Sequence, residues 1–159
     1  MNRKKILNRL KVACVIAGVL GLGLFGGAAP WVVGQLPSGR GGADTVMYWV
    51  DLGYIWLVGA LSFASLWEAW KICVQIGRDN SFSMQNVVSL RRISRWMAVA
   101  CGLMTLGLVI FLLGVRNWMV LGLIGLGICI SLIFSLFASA LAELIRMGAE
   151  LKDENDLTI

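Results

Sequence analysis

Four long apolar stretches constrain this chain more than any other feature of its sequence. They cover residues 12–33, 47–67, 96–114 and 118–142, and their cores carry no charged side chain. A helix crosses roughly 30 Å of hydrocarbon with about 20 apolar residues, and one central Arg or Asp opposes its insertion by about 3 kcal/mol. Only 14% of the residues are charged, against about 25% in soluble domains. The pattern predicts one all-α integral membrane domain over 1–159, built as a four-transmembrane-helix bundle.

Lysine and arginine are distributed unevenly between the two sides that these spans define. Twelve of the fourteen lie in the N-terminal segment, in the connection 68–95 or in the acidic C-terminal tail 143–159, and only Arg40 and Arg116 lie in the opposite loops. Basic segments stay in the cytoplasm, so both termini and the 68–95 connection are predicted to be cytoplasmic, in a multi-pass protein of the inner or plasma membrane. Topology therefore explains the net charge of +5, and direct nucleic-acid binding is not expected.

The first apolar stretch allows a second interpretation. Its basic start and its GGAA sequence before Pro30 also fit a cleaved signal peptide. The apolar run is longer than the usual 7–15 residues of such peptides, however, which favours a retained helix.

Small residues are predicted to let the helices approach one another closely. The first stretch contains a G-x-x-x-G pair, Gly23 and Gly27, and the fourth contains Ser131, Ser135 and Ser139 at a spacing of four. Such faces pack tightly in membranes, and serine can donate a hydrogen bond across the interface. A polar pathway for a solute is the alternative interpretation of the serines.

The cysteines show no pattern of a disulfide framework. Cys14, Cys73, Cys101 and Cys129 form no C-x-x-C pair and none lies in an outer loop, so they are interpreted as small packing residues. The chain also lacks histidine, and the outer carboxylates Asp44 and Asp51 have no evident partner. No catalytic, metal or cofactor site is predicted, and an enzyme is not expected.

The longest polar segment between the spans is GRDNSFSMQNVVSLRRISR, residues 77–95. Ser83 is placed to cap a helix that begins at about residue 84, with Phe82 and Val87 forming a hydrophobic staple. Val87, Leu90, Ile93 and Met97 are expected to share one apolar face of this helix. This helix and the last one are both expected to extend into the cytoplasm. The basic start of the third helix and the acidic end of the fourth give the predicted interaction residues, which are Phe82, Ser83, Asn86, Arg91, Arg92, Arg95, Glu143, Arg146, Glu150, Leu151, Glu154, Asn155, Asp156 and Leu157.

These two polar segments are predicted to meet. Helices in a hairpin lie about 8–10 Å apart, close enough for long side chains to touch. The tail is therefore expected to fold back on the arginines, with Ser83 and Asn86 hydrogen-bonded to its backbone or to Asn155. Glu68 and Glu143 each precede a cation by three residues, Lys71 and Arg146, and local pairing within one helix is expected for both.

The same segments resemble the domain-of-unknown-function 2975 family of small bacterial membrane proteins. The ending AELIRMGAELKDENDLTI, residues 142–159, carries the resemblance, and the 77–95 segment adds Phe82, Ser83, Asn86, Leu90, Arg91, Arg92 and Ile93. The resemblance implies four spans. Because many members are encoded beside a Cro/repressor-type helix-turn-helix regulator, it also implies a membrane partner for a transcription factor.

Three classes of function follow from these observations. The first is a regulatory membrane protein whose cytoplasmic face binds a partner, for which a small helix-turn-helix regulator is the candidate and a second copy of the chain a further one. The second is a small transporter, channel or immunity-type protein, and the third is a structural or assembly factor. Ion transport normally needs ionisable groups at mid-membrane, and the span cores lack them.

Overall fold

The computed structural model describes residues 3–34, 44–77, 83–114 and 118–156, and all of these except Ser83 are helical. The all-α fold predicted from the sequence is confirmed. The elements in chain order are α1 (Arg3–Gly23), a π-helical turn (Leu24–Ala28), α2 (Ala29–Gly34), α3 (Asp44–Gly77), α4 (Met84–Gly114) and α5 (Trp118–Asp156).

Four helical segments in this part of the chain are long and apolar enough to cross a membrane. They are Asn8–Gly34, Tyr48–Gly77, Met84–Leu112 and Val120–Leu151, with mean hydropathies between 1.4 and 2.6. The four predicted spans are thus confirmed in number. The helices are longer than the apolar stretches because they continue into the polar segments, so that residues 68–77 extend α3 and residues 84–95 form the beginning of α4.

The first span is a composite helix, which the sequence did not predict. A π-helical turn at Leu24–Ala28 interrupts the α-helical hydrogen bonding, and the Ala29 N–H donates to the Leu24 carbonyl. Such a turn leaves carbonyl groups needing partners in a medium without water. The Trp56 indole N–H of α3 donates to the Phe25 carbonyl at 3.1 Å, which satisfies one of them.

The same turn directs the Phe25 ring onto α3. A Cβ atom at Gly59 would lie 2.9 Å from that ring, so only glycine fits there. The Phe63 ring contacts Phe25 edge-on, with the ring centroids 6.2 Å apart.

The long helices pack in chain order. Among the described residues, Cα atoms approach within 8 Å between α1 and α3, between α3 and α4, and between α4 and α5, but not between α1 and α4, α1 and α5, or α3 and α5. The first span therefore packs on α3 alone, while α4 lies between α3 and α5.

Small side chains form the seam between α4 and α5. Ala138 and Ala142 are buried against Val87 and Leu90. Nearer the middle of the helices, the Ser135 hydroxyl donates to the Ser94 carbonyl at 3.0 Å. Close backbone approach and an interhelical hydrogen bond are the two ways in which membrane helices associate without a hydrophobic driving force.

The predicted small-residue faces are only partly correct. Ser131 and Ser135 are buried as expected, but Ser139 is exposed, because a spacing of four drifts about 40° around a helix of 3.6 residues per turn. The G-x-x-x-G pair packs against none of the described residues, since none of their atoms lies within 4 Å of a Cβ built at Gly23 or Gly27. Gly21 instead receives the Phe63 ring, at 3.1 Å from a built Cβ.

Candidate functional site

Charged side chains of α3, α4 and α5 meet at one end of the protein, here called the polar end, whereas Asp51 lies toward the other end of α3. It comprises residues 68–77 of α3, residues 83–95 at the start of α4 and residues 143–156 of α5. Among the side chains described there, five are cationic (Lys71, Arg91, Arg92, Arg95 and Arg146) and three are carboxylates (Glu68, Glu143 and Glu150).

Ser83 caps the N-terminus of α4, as the sequence predicted. Its carbonyl accepts from the N–H groups of Asn86 and Val87 at 3.0 and 3.3 Å, and its hydroxyl lies 3.4 Å from the Asn86 nitrogen. The cap satisfies N–H groups that the first turn of any helix leaves without an intrahelical partner. It fixes where α4 starts and hence the rotational position of the arginines two turns later. Phe82, the other half of the predicted staple, lies outside the described residues.

A buried carboxylate joins α3 to α4. The Lys71 ammonium donates to Glu68 Oε1 at 2.9 Å, and the Arg92 guanidinium Nη1 donates to the same oxygen at 3.3 Å. Only 8% of the Glu68 side chain is exposed, whereas the two cations are about half exposed. The pairing of Glu68 with Lys71 was expected from their spacing, but the bond from Arg92 was not.

A second carboxylate joins α4 to α5. Glu143 accepts from Arg146 at 2.5 and 3.1 Å, and Arg91 Nη2 approaches its other oxygen at 3.7 Å. Arg146 also donates to Glu150 at 3.2 Å. The Glu143 side chain is 44% exposed, so this network lies at the surface.

Two consecutive arginines therefore hold opposite neighbours of α4. Successive residues of an α-helix point about 100° apart, so Arg91 and Arg92 cannot face the same helix. Arg91 turns toward α5 and Arg92 toward α3. Arg95 is exposed and takes part in none of the ion pairs found within the described residues. The Arg-Arg pair fixes α4 on both sides, and Arg95 is left facing outward.

A groove between α3 and α4 opens beside the buried carboxylate. It has a volume of about 350 Å³ and is lined by Glu68, Lys71, Gln75, Met84, Gln85, Val88, Ser89 and Arg92. Gln75 Nε2 of α3 donates to Gln85 Oε1 of α4 at 3.1 Å across the groove. Polar side chains of both helices thus line a shallow, preformed cleft at the polar end.

An apolar core supports the charged surface from within. Val87 and Leu90 of α4 pack on Ala138 and Ala142 of α5, with Ile72 of α3 packed against this cluster. Val87 and Leu90 belong to the face of α4 that the sequence predicted to be apolar. The polar end is therefore an ordered part of the fold.

The predicted interaction residues differ in their availability. Arg91, Arg92, Arg95 and Glu150 are exposed, and Leu151 is 67% exposed. Asn86 is fully buried, at 0% exposure, so it belongs to the interior and is not part of the surface. The side chains of Glu154, Asn155 and Asp156 lie outside the described part, although α5 includes their backbone, and Leu157 lies wholly outside it.

The predicted fold-back of the tail is wrong for residues 150–156. Helix α5 continues without a break to Asp156. Because Arg91 lies opposite Glu143 in an antiparallel pair, the start of α4 at Met84 lies opposite about residue 150, and α5 extends beyond it. The acid that meets Arg91 is thus Glu143, the first residue of the tail and about two helical turns before Glu150.

The predicted interaction residues did not include Glu68, Lys71 and Gln75, although the pairing of Glu68 with Lys71 within one helix was expected. Their signal was present, since α3 carries polar side chains at 68, 71 and 75, one face of a helix. Residues 68–77 were assigned to the connection 68–95, so their packing beside Arg92 was not predicted.

The described residues offer no chemistry beyond charge pairing and hydrogen bonding at this end. No group of three or more Cys, Asp or Glu side chains among them could hold a metal ion.

The comparisons with known proteins agree with this architecture. The family model described as "Protein of unknown function (DUF2975)" matches residues 32–159, which include the polar end and three of the four spans. The chain belongs to this family. It is 27% identical, over 163 aligned positions covering the whole of both chains, to the "Uncharacterized membrane protein YoaS" of Bacillus subtilis (strain 168). No solved structure matches the chain.

Proposed function

We propose that this protein is a non-enzymatic regulatory membrane protein whose polar end binds a partner protein in the cytoplasm. The observation that carries the proposal is the length of three helices, which exceeds the thickness of the hydrocarbon core of a bilayer. With 34, 31 and 39 residues, α3, α4 and α5 are about 51, 46 and 58 Å long, whereas the hydrocarbon is roughly 30 Å thick. Glu68 and Lys71 of α3 lie at the same end as the charged side chains described in α4 and α5.

The form of the polar end supports binding. Arg91 and Arg92 are held by ion pairs to neighbouring helices, so less side-chain entropy is lost when a partner contacts them. Arg95 faces outward beside them. An interface with a preordered basic centre favours a partner surface rich in carboxylates. The cytoplasmic side follows from the distribution of lysine and arginine along the chain.

The candidate partner is a small helix-turn-helix transcription regulator. This choice depends on the family resemblance, which associates such membrane proteins with neighbouring regulator genes. Holding a regulator at the membrane would keep it from its DNA, and releasing it would be the regulatory event. The membrane protein itself is not expected to contact nucleic acid.

Site-specific crosslinking in native membranes tests the proposal. A photo-reactive amino acid at position 95 should capture a soluble regulator, identified by mass spectrometry, and the same probe at position 117 should not. Arg92→Glu should abolish capture by the position-95 probe. The matched control is Arg116→Glu, which reverses the same charge in the connection between α4 and α5 and should leave capture unchanged.

A crosslinking experiment that captures no regulator would change the proposed function. A position-95 probe that captures only lipid or copies of this chain contradicts the binding of a soluble regulator. The alternative, a small transporter, channel or immunity-type protein, would then be favoured.

A further inference from the structure

Two cysteines from different helices face each other at the interface of α1 and α3. The sulfur atoms of Cys14 and Cys73 are 3.9 Å apart although 59 positions separate the residues in the chain. Cys73 is buried, at 3% exposure, and Cys14 is half-buried. The other two described cysteines are placed differently, since Cys101 points to the Ile128 carbonyl and Cys129 is exposed.

The geometry permits a bond between these two sulfurs. A disulfide has an S–S length of about 2.05 Å, so the sulfurs must approach by roughly 2 Å, which side-chain rotation and a small helix shift can supply. Among the described residues α1 packs on α3 and on no other long helix. A movement of α1 toward α3 therefore disturbs no second interface.

The thiol of Cys14 is the accessible one. It lines a cleft of about 200 Å³ together with Val15, Phe63, Leu66, Trp67 and Trp70. The cleft is mostly apolar, so it admits a small neutral oxidant more readily than a charged one. Cys73 lies behind Cys14, where it can act as the second, resolving thiol.

We propose that Cys14 and Cys73 form a dithiol site that hydrogen peroxide oxidises to a disulfide joining α1 to α3. The Cys14 sulfur, as thiolate, attacks one peroxide oxygen, the O–O bond breaks, and hydroxide leaves to give a sulfenic acid. The Cys73 sulfur then attacks the Cys14 sulfur. The S–S bond forms, the S–O bond breaks, and the oxygen leaves as water with the Cys73 proton. Two thiols and one peroxide yield one disulfide and two waters, and two electrons pass from sulfur to oxygen.

Cys73 lies within the α3 segment of the polar end, but the dithiol site uses none of the charged side chains there and does not depend on the proposed partner. The disulfide would fasten the first span to the second, and a thiol reductant would release it. The oxidised and reduced proteins would differ in how firmly α1 is held, because no other long helix in the described part contacts it.

Thiol counting on the purified full-length protein tests the proposal. After peroxide treatment, denaturation and alkylation with a maleimide-linked polymer, wild type should fall from four reactive thiols to two. A reductant added before alkylation should restore four. Mass mapping without reductant should identify one linked peptide pair, containing Cys14 and Cys73 of the same chain.

Single substitutions provide the matched controls. Cys101→Ser and Cys129→Ser should each still lose two thiols, whereas Cys14→Ser and Cys73→Ser should lose none to disulfide. In Cys73→Ser a sulfenic acid should accumulate at Cys14 and react with dimedone. Retention of four thiols in wild type, a bridge involving Cys101 or Cys129, or a bridge between two chains would each overturn the proposal.

Discussion

The two sides of α4 are held by the same kind of charge arrangement in two different environments. On the α3 side, Glu68 accepts from a cation on its own helix and from Arg92, and on the α5 side Glu143 accepts from a cation on its own helix and contacts Arg91. The Glu68 side chain is 8% exposed and that of Glu143 is 44% exposed. Removing a buried carboxylate costs more than removing a solvated one, since exposed pairs contribute only about 0–1 kcal/mol.

The difference indicates how each interface is stabilised. The α4–α5 seam has small side chains and an interhelical hydrogen bond, so it does not depend on Glu143. Among the described side chains of α3, Ile72 is the one packed against the apolar core beneath the charges, so the α3–α4 junction at this end depends more on Glu68. Arginine pairs of similar appearance are therefore expected to differ in their contribution to stability.

The largest expected effect is at the α4–α5 seam. Ala142→Leu should lower the free energy of unfolding by about 3 kcal/mol, because a longer side chain cannot fit against Val87 and Leu90 without moving α5. Titration with a denaturing detergent, followed by tryptophan fluorescence, measures the change. Ala140→Leu, on an exposed face of the same helix, should change stability little. Equal effects of the two variants would show that the seam is loosely packed.

The next largest effect is expected at the buried carboxylate. Glu68→Ala should lower the free energy of unfolding by about 2 kcal/mol, because it removes charge-assisted hydrogen bonds to Lys71 and Arg92. The effect should persist in about 1 M salt, since buried pairs are screened less than exposed ones. If the loss of stability in the double variant Glu68→Ala, Arg92→Ala equals the sum of the losses in the two single variants, the ion pair between Glu68 and Arg92 contributes nothing to stability.

A smaller effect is expected from the serine in the seam. Ser135→Ala should cost about 0.6 kcal/mol, the usual value for an interhelical hydrogen bond in a membrane, because it removes the bond to the Ser94 carbonyl. Ser139→Ala, on the exposed side, is the matched control and should be neutral in the same denaturation measurement. A larger loss of stability for Ser139→Ala than for Ser135→Ala would show that α5 packs on α4 through the face that carries Ser139.

The smallest effect is expected at the exposed carboxylate. Glu143→Ala should cost less than Ser135→Ala at low salt and nothing measurable in about 1 M salt, because its partners Arg91 and Arg146 remain solvated. The same denaturation series at the two salt concentrations measures both values. A cost equal to that of Glu68→Ala would remove the distinction between the two sides of α4.

Local features of the fold could be predicted from the sequence, whereas contacts between helices could not. The spans follow from their length and hydropathy, the cap at Ser83 from its place before an apolar period, and the buried Val87 and Leu90 from that period. All of these depend on residues close in the chain. The continuation of α3 to Gly77 was missed because its last turns are polar and resemble a connection.

The candidate site was predictable in composition but not in pairing. Arg91 and Arg92 were identified, yet their separate partners depend on which helix packs on each side of α4. Burial of Asn86 and Glu68 depends on the same packing. The π-helical turn at Leu24–Ala28 contacts Trp56 and Gly59, which lie in the next long helix, α3.

The side of the membrane on which the polar end lies is the central claim of the proposed function, and thiol labelling in intact cells tests it directly. In a cysteine-free background, single cysteines replace Met84, Ser38 or Asn117. Met84 is chosen because it is 54% exposed, whereas the neighbouring Ser89 is buried. An impermeant maleimide should label positions 38 and 117 in intact cells and position 84 only after permeabilisation. Labelling of position 84 in intact cells, with 38 and 117 protected until permeabilisation, would place the polar end outside the cell and contradict the account.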